Sequence, residues 1–440
     1  MTQNARTLAN LGIGMNTPQA NNLSARLRTL RRGFLTLLPT LPAVLFPCLM
    51  KAQSPPQDHS GPLVVDPDSR VVVMEYEAWF GPNAVTVQNT AAKPLLQSKD
   101  MKSVGGGYDS SDPAVIKRHV EWMEELGIDA VLVDLTNNVS CIFDSADFVN
   151  KFLRNSNNCP TFRRDYQQIR DNTGNLYPEW SKLGTNLKLI PLLGGIDQNV
   201  LLRDSDGKTS LQKEVEYFAG LMQEYPQRNV IYQGKPLMVV YLGAAQDPDP
   251  AHNPLWLQLR KFFKSHPEIS GRYTIKMMAG FLDSQPALWQ KHGTPRSPVE
   301  INALYGFWSW VDRLNPFCKG PLCPYFPTFN KVGARVENFT VSLATGGQDG
   351  WGCPDPNGPR YCVDDALRFG DDGRYATFES FMAEARKLDP IFLFLHQFNE
   401  FGPPDEGFDA KTYDAIEPTD LWGARALEVV QHQIRLYRRR

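Results

Sequence analysis

The chain has 440 residues, with 46 Lys and Arg against 48 Asp and Glu and a formal net charge of -2. A balance this even excludes a nucleic-acid binder working through a basic face, and an enzyme that gathers charged substrates through a large field. Apolar residues make up 42% and aromatic residues 11%, which suits one large core, and the length fits either several small domains or one barrel with long loops.

Residues 1–54 differ from the rest. The first 28 are polar. Arg31 and Arg32 then precede an apolar run that ends at Met50, the pattern of a twin-arginine export leader. The run carries Pro39, Pro42 and Pro47 and falls short of the ~20 apolar residues a membrane span needs, so cleavage is expected rather than a lasting anchor. The expected mature part, residues 55–440, is then exported, to the periplasm or beyond.

From there apolar runs alternate with helical stretches. The first run is Val71–Phe80. Asp112 and Pro113 then suit the start of a helix over Ala114–Leu126, whose Ile116, Val120, Met123 and Leu126 share one face and which Gly127 ends. The second run is Ala130–Leu135. The third is Leu187–Gly194, where Pro191 predicts a bulge. A helix over Leu211–Tyr225 leads to the fourth run, Pro236–Leu242, and a helix over Pro254–Ser265 to the fifth, Tyr273–Gly280. The sixth is Ile301–Trp308 and the seventh Asn338–Leu343. A helix over Phe378–Lys387, the eighth run Ile391–Gln397 and a helix over Asp420–Leu436 close the chain. Near-continuous apolar runs are what parallel strands buried on both faces require. Eight of them separated mostly by helices predict an α/β protein, a single (β/α)8 TIM barrel. Gly105-Gly106-Gly107 is not a dinucleotide-binding fingerprint, and no cofactor is expected.

Barrels carry chemistry on the C-terminal ends of their strands. The sequence puts Glu75, Tyr76, Glu77 and Trp79 on the first, Asp134 on the second and Tyr241 on the fourth. Trp308 and Trp310 follow the sixth, and His396, Asn399 and Glu400 the eighth. Amides and carboxylates of this kind satisfy sugar hydroxyls, aromatic rings pack on sugar C–H faces, and glycoside cleavage needs two acidic groups about the scissile bond. Glu400, delivered by an apolar strand and followed by Asp405 and Glu406 in a Pro/Gly-rich loop, is the first candidate for catalysis. His119 and Glu121, inside a helix, read as structural or exposed. His396 reads as a buried, hydrogen-bonded histidine or as the group that orients Glu400.

Cys48 leaves with the leader. Cys141, Cys159, Cys318, Cys323, Cys353 and Cys362 remain, an even number that in an exported protein reads as disulfides stapling long loops, with the pairing open. Asn138 and Asn338 head glycosylation sequons, discounted in a chain with a bacterial leader, the second also because it falls in an apolar run.

Two segments carry a resemblance. Tyr108-Asp109-Ser110-Ser111-Asp112-Pro113, with the helix that ends in Gly127-Ile128-Asp129, resembles the segment after the first strand in glycoside hydrolase family 99 and its wider relatives. Asn399-Glu400-Phe401 through Gly407, and on to Ile416-Glu417-Pro418, resembles that group's strand-eight signature, an NEW-x-EG stretch followed by I/L-E-P. The resemblance implies a (β/α)8 barrel and endo-acting hydrolysis of an α-linked polysaccharide or glycan, mannan-type first. It implies Glu400 and Glu406 as the catalytic pair, with the substrate's own 2-hydroxyl as nucleophile. Tyr108, Asp109 and Glu417 thereby join the expected substrate-binding set of Glu75, Tyr76, Glu77, Trp79, Asp134, Tyr241, Trp308, Trp310 and Asn399. The chain departs from the signature at Phe401, where the family has Trp, and at Gly402-Pro403-Pro404-Asp405, which widens the gap and makes Asp405 a rival to Glu406. That departure motivates a second reading, a glycan-binding or polysaccharide-assembly protein without turnover. A third, a metal-dependent hydrolase or deacetylase on Asp109, Asp112, Asp134 and His396, lacks HxH or HExxH spacing.

Overall fold

The computed structural model describes residues 61–82, 92–104, 106–136, 159–195, 206–242, 261–279, 308–309, 331–343, 376–399 and 415–439, all within the unit Asp58–Arg440. Its strands in chain order are β1 (Leu63–Val65), β2 (Val71–Tyr76), β3 (Ala130–Asp134), β4 (Lys188–Gly195), β5 (Val230–Tyr232), β6 (Lys235–Leu242), β7 (Thr274–Ala279), β8 (Trp308–Ser309), β9 (Lys331–Val332), β10 (Arg335–Val336), β11 (Asn338–Ser342) and β12 (Phe392–His396). The eight strands expected from the sequence correspond to β2, β3, β4, β6, β7, β8, β11 and β12. All their mutual pairings are parallel and follow chain order from β2 to β8. β11 then pairs with β12, and β12 returns to β2 with Phe392 opposite Val71. Among the described residues no ladder joins β8 to β11, so the closed ring expected from the strand count is replaced by a parallel sheet curled onto its own first strand, with one open seam.

Period-two alternation sorts these strands into two apolar layers. Val71 and Val73, Ala130 and Leu132, Ile190 and Leu192, Leu237 and Val239, and Phe392 and Phe394 point inward and pack together. Val72 and Met74, Val131 and Val133, Leu189 and Leu193, and Leu393 and Leu395 point outward against the helices. Burying one such side chain is worth about 1.5–3 kcal/mol, more than the ~0.2–1 kcal/mol of a cross-strand pair. Burial on both faces, not pairing preference, therefore fixes which residues are strand.

The outer layer meets helices α1 (Pro113–Leu126), α2 (Cys159–Leu183), α3 (Ser210–Glu224), α4 (Ala376–Leu388) and α5 (Arg425–Arg438). α1 begins and ends as expected: Asp112 accepts from the Ala114 amide, and Gly127 stops the helix at φ 81. α2 is not expected from the sequence, because Gly174 and Pro178 lie inside it. Gly174 is needed there. A Cβ at that position would stand 1.9 Å from the Tyr217 hydroxyl, which crosses from α3 to donate to the Arg170 carbonyl at 3.2 Å. Leu176, Tyr177 and Trp180, all buried, supply the packing that outweighs the proline. α5 starts five residues later than expected. The Trp422 amide donates to the Thr419 hydroxyl and Gly423 sits at φ 58, which makes a turn of the stretch before it. No described helix is long and apolar enough to cross a membrane.

Pro191 makes no bulge. It pairs opposite Val133 within an unbroken β4. The Lys188 amide donates toward β3, so residue 191 faces the β6 side, and β6 joins the ladder only from Leu192 onward. The missing N–H therefore removes no ladder bond. A hairpin through Gln233 (φ 52) and Gly234 (φ 76) joins β5 to β6, and β1 adds to β5. Nearby, Lys276 on β7 pairs with Glu337 at 2.7 Å, and Tyr232 donates to Glu337 at 2.5 Å. Asn338 is a buried residue of β11, which agrees with discounting its sequon. Residues 1–54, Cys141, the Cys159 side chain and the four cysteines after it lie outside what is described, and the disulfide expectation with them.

Gly194 on β4 sits at φ 108, where a Cβ would lie 2.4 Å from the Tyr241 carbonyl oxygen. Backbone strain and overpacking each cost about 1–3 kcal/mol, so Gly194→Ala is expected to lower stability by roughly 2–5 kcal/mol in urea unfolding. A midpoint within ~0.5 kcal/mol of wild type, the range of neutral surface changes, would refute this account.

Candidate active site

The inward alternation continues past the apolar layer. After Val71 and Val73 on β2 comes Glu75; after Ala130 and Leu132 on β3 comes Asp134; after Phe392 and Phe394 on β12 comes His396. Three adjacent parallel strands thus end their inward rows in polar groups near their C-terminal ends. On β6 the inward row ends in Tyr241, packed in the inner apolar layer. On β4 it ends in Gly194, which adds no side chain. Glu77, one further step along, joins the group: carboxylate oxygens of Glu75, Glu77 and Asp134 lie within 4.8 Å of one another. All three side chains are buried, and His396, also buried, hydrogen-bonds through Nδ1 to Glu75.

Asp134 is strongly perturbed. Its Oδ1 accepts from the Thr136 amide at 2.5 Å, and its Oδ2 has no partner among the described residues. Burial, then the Glu75 charge, push its carboxyl up to about 7, against the pull of Thr136 and His396. Trp79 donates its indole N–H to the Asp134 carbonyl at 3.1 Å. Oxygen sets of this kind also suit hard divalent cations, and among the described residues only Glu75, Glu77 and Asp134 meet closely enough to hold one. A carboxyl raised toward neutrality within a cluster of carboxyls suits acid/base work.

A second network adjoins the first. Asn399 clamps the Glu77 peptide: its Oδ1 accepts from the Glu77 N–H at 2.9 Å and its Nδ2 donates to the Glu77 carbonyl at 2.8 Å. Nδ2 also donates to the Tyr108 hydroxyl at 3.0 Å, and Tyr108 donates to Glu417 Oε2 at 2.6 Å. His119 joins Glu417 Oε1 at 3.3 Å to Tyr76 at 3.0 Å, its ring edge-on to Tyr76, Tyr108 and Phe398. Burial, then the Glu417 charge, raise the Tyr76 and Tyr108 hydroxyls, so both keep their protons. The Ile416 and Glu417 amides donate to the Gln397 and Phe398 carbonyls, which ties the segment after β12 to the one that carries Glu417.

The expected site residues therefore sort by place. Glu75, Glu77 and Asp134 converge. Tyr76, Tyr108, Asn399 and Glu417 converge in the supporting network, and Asn399 links the two groups. Asp109 stands apart and accepts from the Ser111 amide and hydroxyl in the turn before α1. Trp308 contributes backbone to β8. Glu400, Glu406 and Trp310 lie outside the described residues. His396 is buried and hydrogen-bonded, and its other reading, as the group that orients Glu400, lies outside the described residues. His119 is buried, whereas Glu121 is half-exposed and paired with Lys117 and Arg118. Its signal in the sequence was its place on the apolar face of α1, between Ile116 and Met123.

No family model and no curated protein matches the chain. Among solved structures it is similar to the GH99 endo-α-mannosidase of Bacteroides thetaiotaomicron. One structure matches at 14% identity and a TM-score of 0.43, over 85% of this chain and 98% of that one. The same enzyme in complex with BIS-TRIS-propane matches at 13% identity and 0.41, over 84% and 97%. A glycoside hydrolase-like protein matches at 12% identity and 0.39, over 84% and 96%. Likeness at this level bears on neither substrate nor activity.

Proposed function

We propose that the chain is an exported, endo-acting glycoside hydrolase that cleaves an α-linked polysaccharide or glycan, of mannan type first, without a cofactor. The observation that carries this reading is the convergence of Glu75, Glu77 and Asp134 within 4.8 Å at the ends of adjacent parallel strands. Glycoside cleavage needs one group to protonate the leaving oxygen and another to take a proton from the attacking hydroxyl or water. A cluster in which burial and like charge separate the proton affinities supplies both. In this reading Glu400 acts as acid or base, Glu406 or Asp405 is its partner, and the Glu75 cluster orders the sugar or relieves either role. The export leader on Arg31 and Arg32 belongs to the same proposal.

The test is turnover on a panel of α-mannans, other polysaccharides and glycans, with reducing ends counted. The wild type is expected to cleave at least one, and Glu400→Gln to lose about 10³-fold or more of kcat, as removal of an acid/base group from a paired set does. Equal activity in Glu400→Gln would move the chemistry to Glu75, Glu77 or Asp134. Tight glycan binding with no turnover on any member would favour the assembly-protein reading, which the lengthened stretch Gly402–Asp405 suggests.

A further inference from the structure

Tyr76, Tyr108, His119, Asn399 and Glu417 are each at most 1% exposed, and their donors and acceptors match one for one. The Tyr76 hydroxyl has His119 Nδ1 as its one partner among the described residues, so the O–H donates and Nδ1 accepts. A ring that accepts at Nδ1 carries its proton on Nε2, which faces Glu417 Oε1. Glu417 Oε2 takes the Tyr108 proton, and the Tyr108 oxygen takes one from Asn399. As a carboxylate, Glu417 accepts only. It therefore draws protons from both sides and gives the chain of bonds one direction. That direction reaches the Asn399 amide: turned over, its NH2 would face the Glu77 N–H, donor against donor.

We propose that His119 is a positioning residue: with Glu417 and Tyr108 it holds the Asn399 amide in the orientation that ties the Glu77 peptide to the residue before Glu400. The proposal rests on the glycosidase reading, in which Glu77 stands in the acidic cluster and Glu400 carries chemistry. His119 touches no sugar. It acts through the placement of the two strand ends that must face one scissile bond.

The experiment reads the ring directly. In protein labelled with 15N-histidine, His119, assigned by the signal missing from His119→Gln, is expected to carry a proton on Nε2 and to accept at Nδ1. In Glu417→Gln the new amide must accept from Tyr108 with its oxygen and therefore offers N–H to His119. The ring should then move its proton to Nδ1. On an α-mannan that the wild type cleaves, Glu417→Gln and His119→Leu should lower kcat by about 10–10²-fold, the scale of a small misplacement of reacting groups, with KM nearly unchanged. A wild-type ring protonated on Nδ1, a ring unchanged in Glu417→Gln, or a raised KM at constant kcat would overturn the proposal. If the wild type cleaves nothing, the glycosidase reading fails, and the 15N spectra still decide the relay.

Discussion

Asp134→Asn is expected to flatten the pH dependence of folding stability between about pH 4 and pH 7 and to leave the protein more stable than wild type at pH 8. The Asp134 carboxyl is raised from 3.8 to about 7 by burial and by Glu75. A folded state that binds this proton more tightly than the unfolded chain is favoured while the proton is on. The advantage is full below the unfolded value and disappears as pH rises through the folded one. At 1.36 kcal/mol per unit the loss across this window is on the order of 4 kcal/mol. Asparagine keeps an oxygen for the Thr136 amide and removes the charge. Urea midpoints at pH 5, 6, 7 and 8, in EDTA to exclude cations, measure the slope. A variant that loses stability with pH as steeply as wild type would show that the proton sits elsewhere in the cluster.

The second large effect is expected at the other end of the strands. Lys276 and Glu337 pair at 2.7 Å with both side chains almost out of solvent. Removing one partner of a buried pair leaves the other charge without its counter-ion and costs about 3–5 kcal/mol, while replacing both by apolar groups is often neutral. Lys276→Met is therefore expected to destabilise by that amount, and Lys276→Met with Glu337→Leu by much less. Here the Tyr232 hydroxyl loses its acceptor in the double variant, which limits the recovery to a part. Denaturant unfolding of the four forms gives the coupling. Additive losses would mean that the two side chains do not depend on each other.

The parts of this fold legible in the sequence are those where a local pattern repeats a global constraint. The run Val71-Val72-Val73-Met74 reads as a strand because both its faces are buried, and α1 because Asp112 and Gly127 bracket its apolar face. The inward carboxylates are legible for the same reason: counting by twos from Val71 and Ala130 reaches Glu75 and Asp134. α2 is not legible, since Gly174 answers to Tyr217 of another helix rather than to its own neighbours. Pro191 misleads, because a sequence does not tell which adjacent strand an amide faces. The place of His119 on the apolar face of α1 is legible, but its bonding is not. Its partners Tyr76 and Glu417 stand 43 and 298 positions away. Tyr108, Asn399 and Glu417 have the residue types of a sugar-binding set, and only their mutual bonds and burial show that they bind one another.

The pairing of β12 with β2 has a consequence during synthesis. Facing residues of the two strands, such as Glu75 and His396, are 321 positions apart. At ~5–20 residues per second a ribosome needs roughly 15–65 s to cover that distance. For all of that time the first strand, Val71–Tyr76, has one edge with no neighbour, and that edge is apolar and β-branched, the kind that recruits other chains. The nascent protein therefore calls for a holding factor until β12 emerges, before crowding turns that edge into a site of aggregation.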